Sequence, residues 1–274
     1  MRQWLAASGR VLAIASLALA TTYASGEDGA TAQAVDPLYV AAPASLKPDQ
    51  IASLQQRLVD WPQLARYRGE NAALPPPAPG ERRVVFYGDS ITDGWGRTAG
   101  TRFFPGKPYV NRGISGQTTA QMLVRFRQDV IELKPAAVVI LAGTNDIAGN
   151  TGPATLDMIE GNLRSMAELA RANGIRVVLA SVLPVSDYPW RPGLHPADTV
   201  RALNTRLRDY ARDSGAVYLD YHTAMSNIEG GLDADLAADG VHPTPAGYER
   251  IAPLAQRAID EALASDTGDS TPAK

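Results

Sequence analysis

From Arg83 onward the chain alternates short, predominantly apolar runs with longer stretches whose apolar residues recur at helical spacing. Val84–Tyr87, Ala137–Leu141, Ile175–Val182 and Val217–Leu219 are the apolar runs, and their lack of regular polar alternation predicts strands buried on both faces. Met122–Leu133 is patterned as a helix. Leu156, Ile159, Leu163, Met166 and Ala170 mark a second helical face, Val200, Leu203, Leu207 and Tyr210 a third, and Ile251, Leu254, Ala258 and Ile259 a closing one. A further short strand is expected to end at Asn111-Arg112-Gly113. Doubly buried strands joined by helices imply parallel crossovers, so residues 81–265 should form a three-layer α/β/α domain, followed by a polar tail at 266–274 with no expected order. In open sheets of this kind ligands sit beyond the carboxyl ends of the strands. Chemistry is therefore expected in the loops that follow each apolar run.

Ahead of that domain, residues 35–80 read as a helical extension and a connector. Ile51, Leu54 and Leu58 have helical spacing within Pro48–Tyr67, and Pro62 interrupts it, which predicts two short helices. Leu74-Pro75-Pro76-Pro77-Ala78-Pro79-Gly80 should be semi-rigid and extended. Residues 1–34 look like a secretory address: Arg2 and Arg10 are basic, Val11–Ala20 is apolar, and no acidic residue precedes Glu27. Small residues at Thr22 and Ala24, or at Ala32 and Ala34, offer alternative cleavage sites. The apolar core falls short of the about 20 residues a membrane-spanning helix wants. A secreted or periplasmic protein with no stable membrane span after cleavage is expected.

Composition narrows the chemistry. The 274 residues carry 26 Lys+Arg against 29 Asp+Glu, a net charge of -3, without long runs of one sign, so nucleic acid is not an expected partner. With no cysteine there can be no disulfide, cysteine nucleophile or thiolate zinc site. Neither glycine-rich phosphate-binding pattern follows a strand, which counts against nucleotide binding.

Gly88-Asp89-Ser90-Ile91-Thr92-Asp93-Gly94 closes the first apolar run, so Ser90 stands at a strand-to-helix turn with its own N–H free. This segment alone fits a nucleophile and a helix N-cap equally well. A serine nucleophile needs a base, and the chain has three histidines, His195, His222 and His242. His242 lies in Asp239-Gly240-Val241-His242-Pro243, where one tight turn lets the Asp239 carboxylate hold the ring and leaves Nε2 for the serine proton. Asp220 and His222 end a strand only two residues apart, and His195 sits in a proline-rich loop, so both are weaker candidates for the base. Gly143-Thr144-Asn145-Asp146 puts a carboxamide at a strand end, able to donate to a developing oxyanion. Gly113, in Asn111–Gly116, would permit close backbone approach and offer its N–H. Asn and Gly are also ordinary turn residues; it is their combination with Ser90 and His242 that completes an acyl-transfer site.

These four blocks resemble those of the SGNH hydrolases, also called the GDSL esterase/lipase family, in order and each at a strand end, over about residues 83–265. The resemblance implies a flavodoxin-like sheet of five parallel strands and a Ser90–His242–Asp239 triad. It also implies an oxyanion hole from the N–H of Ser90, the N–H of Gly113 and the side chain of Asn145, with no metal and no organic cofactor. The expected activity is hydrolysis of carboxylic esters through an acyl-enzyme, first of all short-chain acetyl esters, on a small-molecule or carbohydrate substrate. Trp95, Trp190 and Arg191 lie in loops at the same end of the sheet, where aromatic faces and a guanidinium would suit a sugar ring; packing within their own loops is the alternative. Alternatives for the whole protein are a lysophospholipase or thioesterase acting on longer chains, acyl transfer to a sugar hydroxyl, and a non-catalytic carbohydrate-binding module on the same fold.

Overall fold

The computed structural model describes residues 47–264; the expected signal segment and the tail at 266–274 lie outside them. Five strands, β1 (Val84–Gly88), β2 (Tyr109–Gly113), β3 (Ala137–Leu141), β4 (Arg176–Ala180) and β5 (Val217–Leu219), form one sheet in the order β2-β1-β3-β4-β5. Every neighbouring pair is parallel. Alternate residues of each apolar run serve opposite layers. Val85, Tyr87, Val138, Ile140, Val177 and Leu179 join a core with residues of α4 (Thr119–Asp129), α6 (Leu156–Ala172) and α7 (Ala197–Ser214). Val84, Phe86, Val139, Leu141, Val178 and Ala180 join a second core with α9 (Pro245–Ala264). This is the three-layer flavodoxin-like sandwich, and its sequence cause is the continuous run of apolar residues, which feeds both sides of the sheet at once.

The chain leaves β1 toward β2 on one side and reaches β3 on the other, so a crevice opens at the carboxyl end of β1, where the strand order reverses. Three short helices occupy the strand ends around it: α3 (Ser90–Gly94) after β1, α5 (Thr144–Ile147) after β3 and α8 (Tyr221–Met225) after β5.

In the extension, α1 covers Pro48–Val59, but the second helix begins later than the spacing predicts, as α2 (Arg68–Ala73). Residues between them turn instead of continuing helically, because the Asp60 carboxylate accepts the N–H groups of Leu64 (2.8 Å) and Ala65 (2.9 Å). Arg83 pins the proline-rich connector by donating to Pro75 O at 2.8 Å.

Beneath the strand ends lies a fully buried cation. Arg125 of α4 donates to Gly88 O (3.1 Å), Arg112 O (2.9 Å) and Asp129 Oδ2 (3.0 Å), and to the Gln117 side chain, with its guanidinium 4.2 Å from the centre of the Tyr87 ring. Neither Arg125 nor Asp129 exposes any surface. A charge taken from water in this way is tolerated because each guanidinium nitrogen finds an acceptor and a buried carboxylate balances it. Removing one member strands the other. Arg125→Met should therefore lower unfolding stability by about 3–5 kcal/mol in chemical denaturation, and a loss under about 1 kcal/mol would contradict this role.

Candidate active site

β1 runs straight into α3, and Gly88 makes the turn possible: a Cβ there would lie 2.1 Å from Thr92 Oγ1 and 2.8 Å from Leu141 O. The cap of α3 is Asp89, whose carboxylate accepts the Ile91 N–H at 3.0 Å. Ser90 is therefore not the cap of this helix, and its hydroxyl points elsewhere. Ser90 Oγ lies 2.9 Å from His242 Nε2. His242 Nδ1 in turn lies 2.6 Å from Asp239 Oδ2, while Asp239 Oδ1 accepts the N–H groups of His242 (2.7 Å) and Val241 (3.0 Å). Partial burial pushes the Asp239 carboxyl upward, but the His242 ring and these two backbone donors outweigh it and hold it below the usual carboxylate range. An ionised carboxylate at Nδ1 keeps the proton there and leaves Nε2 as the acceptor facing Ser90.

Asn145 follows β3 in α5 and is 2% exposed. Its Oδ1 accepts from Asn150 Nδ2 at 2.8 Å and its Nδ2 donates to Gln117 O at 3.0 Å. This fixes the carboxamide and leaves the second Nδ2 hydrogen for the cleft. Next to it, Asp146 accepts from Thr119 N (2.9 Å) and Thr119 Oγ1 (2.6 Å), tying the end of β3 to the first turn of α4.

Gly113 fits only half of what its position suggests. It is required for close approach, because a Cβ there would meet Asp93 N at 2.1 Å. Its N–H, however, already donates to Asn111 Oδ1 at 2.9 Å, so it is not a free donor. Gly116, three residues on, has φ +79° with open space where a Cβ would stand, and it lines the same cleft as Ser90 and Asn145. Its N–H makes no hydrogen bond among the described residues. The turn presenting it is anchored by Ser115, whose hydroxyl donates to Asp93 Oδ2 at 2.8 Å. The signal was in the sequence, since Gly113 and Gly116 share one short segment and spacing cannot rank them; what ranks them is the Asn111 side chain, which folds back onto Gly113.

Among the residues expected to meet substrate, Trp95 is a correction. It is 4% exposed, packs against Phe86, Phe103, Phe104 and Tyr248, and donates from Nε1 to Arg102 O at 3.2 Å, so it belongs to the core and has no face left for a ligand. Trp190 is 41% exposed on the cleft, tilted at 37° against Tyr188 with centroids 5.0 Å apart and lying 6.1 Å from the His242 ring. Arg191 is exposed beside Gly149, outside the cleft lining. Elsewhere, Asp220 caps α8 through Thr223 N at 2.9 Å, and His222 Nδ1 meets Ser226 Oγ at 3.2 Å, so this pair forms no second triad. The cleft holding Ser90, Asn145 and His242 has a volume of about 1760 Å³. Among the described residues no three His, Asp or Glu side chains converge as metal ligands would.

Two buried acids adjoin the site. Burial pushes Asp89 up to about 7, against the opposing pull of the Ile91 N–H and the His242 ring. Asp146 is raised to about 6 by burial, offset in part by its Thr119 donors.

A hydroxyl hydrogen-bonded to an imidazole that a carboxylate orients, at the carboxyl edge of a parallel sheet, is the arrangement on which serine hydrolases are built. Residues 86–250 match the GDSL-like lipase/acylhydrolase family, and the chain belongs to it. A crystal structure of a GDSL-like lipase from Bacteroides thetaiotaomicron VPI-5482 is 47% identical, with a TM-score of 0.72 over 74% of this chain and 100% of that one. Esterase TesA of Pseudomonas aeruginosa is 34% identical over 146 residues, which is 52% of this chain and 64% of TesA. The acetylxylan esterase of Geobacillus stearothermophilus is 27% identical over 200 residues, 62% of this chain and 90% of the relative.

The buried acids set a pH signature. A carboxyl whose pKa is higher folded than unfolded holds its proton preferentially in the folded state, so the stability it contributes is complete below the unfolded value and drains away as pH rises to the folded one. For Asp89 that window runs from about 4 to about 7. In denaturation series, the stability of the wild type relative to Asp89→Asn should therefore decline from pH 5 to pH 8; a pH-independent difference would contradict the buried-acid account.

Proposed function

We propose that this GDSL-type ester hydrolase is an exported serine esterase that removes short acyl groups, acetyl first, from a carbohydrate ester. The observation that carries the reading is the continuous chain of contacts from Asp239 through His242 to Ser90, with 2.6 Å and 2.9 Å between the heavy atoms. In this reading His242 Nε2 takes the Ser90 proton while Oγ bonds to the ester carbonyl carbon. The carbonyl oxygen gains negative charge and is met by the N–H of Ser90, the N–H of Gly116 and the free Nδ2 hydrogen of Asn145. The tetrahedral intermediate then collapses: the bond to the alcohol oxygen breaks, and His242 returns its proton to that oxygen. Water repeats the sequence on the acyl-enzyme, adding to the carbonyl as His242 takes its proton, and Ser90 leaves with that proton restored. Asp239, kept ionised by its three donors, balances the imidazolium formed at each step.

Support for the acetyl-carbohydrate substrate comes from the acetylxylan esterase relative and from the half-exposed indole of Trp190 near the His242 ring. Export is supported by the N-terminal sequence, whose residues lie outside those described, and no helix among the described residues is long and apolar enough to cross a membrane.

A fluorophosphonate probe should label Ser90, and labelling should vanish in Ser90→Ala and His242→Ala; labelling that persists in a folded Ser90→Ala would refute the nucleophile. Asn145→Ala should lower kcat by about a hundredfold or more, measured on p-nitrophenyl acetate. Wild-type rates should fall from the acetate to the palmitate ester, and faster cleavage of palmitate would replace the carbohydrate reading with a long-chain acylhydrolase.

A further inference from the structure

The segment between α1 and α2 is a strap fixed at nearly every turn by the hydrolase domain. Gln121 Nε2 donates to Trp61 O at 2.7 Å, Gln117 Nε2 to Pro62 O at 2.7 Å, and Gln128 Nε2 to Leu64 O at 2.9 Å. The buried Tyr67 hydroxyl donates to Gly113 O. Gln63 is held at φ +57°, a left-handed conformation that a residue with a side chain keeps only where its surroundings impose it. Three glutamines spent on main-chain carbonyls, together with a strained residue, mark a segment whose position matters.

What the clamp positions is the indole of Trp61. It is 40% exposed, stacks on no other aromatic ring among the described residues, and lines the same cleft as Ser90, His242 and Trp190. Leu58 of α1 extends that wall, and Gln63 and Arg66 line the cleft beside it. An aromatic face on a wall that also carries an amide and a guanidinium, the latter held over the Tyr67 ring and 3.6 Å from Glu70 Oε1, suits a saccharide ring, which offers an apolar C–H face and hydroxyls at its rim. The cleft, at about 1760 Å³, also far exceeds what an acetyl group occupies, so the alcohol side of the ester has room beside the strap. Gln117 makes the connection to chemistry: its side chain holds Pro62 O while its own carbonyl accepts from Asn145 Nδ2 at 3.0 Å.

We propose that Trp61, with Leu58 and Arg66, forms a glycosyl subsite of the catalytic cleft that holds the alcohol portion of an acetylated oligosaccharide, making the N-terminal strap part of the substrate site. This rests on the esterase reading of Ser90 and His242 given above.

The test compares wild type, Trp61→Ala and Trp61→Phe on two substrates, p-nitrophenyl acetate and an acetylated xylo-oligosaccharide. The ratio of kcat/KM for the oligosaccharide to that for the nitrophenyl ester should fall at least tenfold in Trp61→Ala, chiefly through the oligosaccharide KM, and should largely recover in Trp61→Phe. If Trp61→Ala does not fold, Leu58→Ser on the same wall is read by the same ratio, with a fall expected. A wild type that deacetylates the oligosaccharide while the ratio is unmoved in the variants, or an equal loss on both substrates, overturns the subsite and leaves the esterase reading standing. A wild type that cleaves the nitrophenyl ester but leaves the oligosaccharide acetylated overturns the subsite and the carbohydrate reading together. Absence of any cleavage or Ser90 labelling overturns the esterase reading and the subsite with it.

Discussion

The buried guanidinium of Arg125 is the contact on which the geometry of the cleft depends. It reaches the last carbonyl of β1 at Gly88, the Arg112 carbonyl near the end of β2, and the side chain of Gln117, all from one planar group. Carbonyls at the ends of buried strands must find partners inside the protein. A single rigid fork reaches both carbonyls, sharing Gly88 O with the Ile114 N–H, and fixes their spacing, which lysine, a point charge on a flexible stem, would not do. Asp129, equally buried, balances the charge, and the Tyr87 ring covers the guanidinium face. The loops bearing Ser90 and Gly116 start from these pinned strand ends.

From Arg125 the constraint passes through Gln117 in two directions. Its amide group reaches the strap at Pro62, and its carbonyl receives Asn145. Asp146 then ties the same β3 end to Thr119 at the start of α4, whose capping box is formed by Thr118 and Gln121. Gln121 reaches Trp61 O as well. One helix and the turn leading into it thus hold the strand that ends before Ser90, the Asn145 carboxamide and the N-terminal wall, which keeps these groups in fixed register. His242 stands apart from this network, on the loop before α9, and the Asp239 turn makes it self-orienting.

Much of this was legible in the chain. Continuous apolar runs specify a doubly covered parallel sheet, and the helical faces between them specify its layers, because burial on both faces leaves no alternating pattern to misread. The placement of Ser90 and Asn145 was legible because each follows a strand beside residues that dictate a turn; Asp239 and His242 were legible from their spacing in one tight turn, although that turn lies on the loop before α9 and not at a strand end as expected. Less visible was anything decided by a distant side chain. Gly113 and Gly116 differ only in that Asn111 folds back on one of them. Trp95 looks like a loop aromatic until Phe86, Phe103 and Phe104 close around it. Arg125 reads as one more polar position on a helix, and nothing local marks Trp61 as a wall of the cleft, since Gln117, Gln121 and Gln128 that hold its segment lie 55 to 64 residues on.

The most direct test of the account is a crystal structure of the protein phosphonylated by a small fluorophosphonate. The adduct should sit on Ser90 Oγ, with its phosphoryl oxygen within hydrogen-bond distance of the N–H of Ser90, the N–H of Gly116 and Asn145 Nδ2. An oxygen turned away from Asn145, or bound by the Gly113 N–H with Asn111 displaced, would contradict the assignment of the oxyanion site and the rigid strand-end geometry on which it rests.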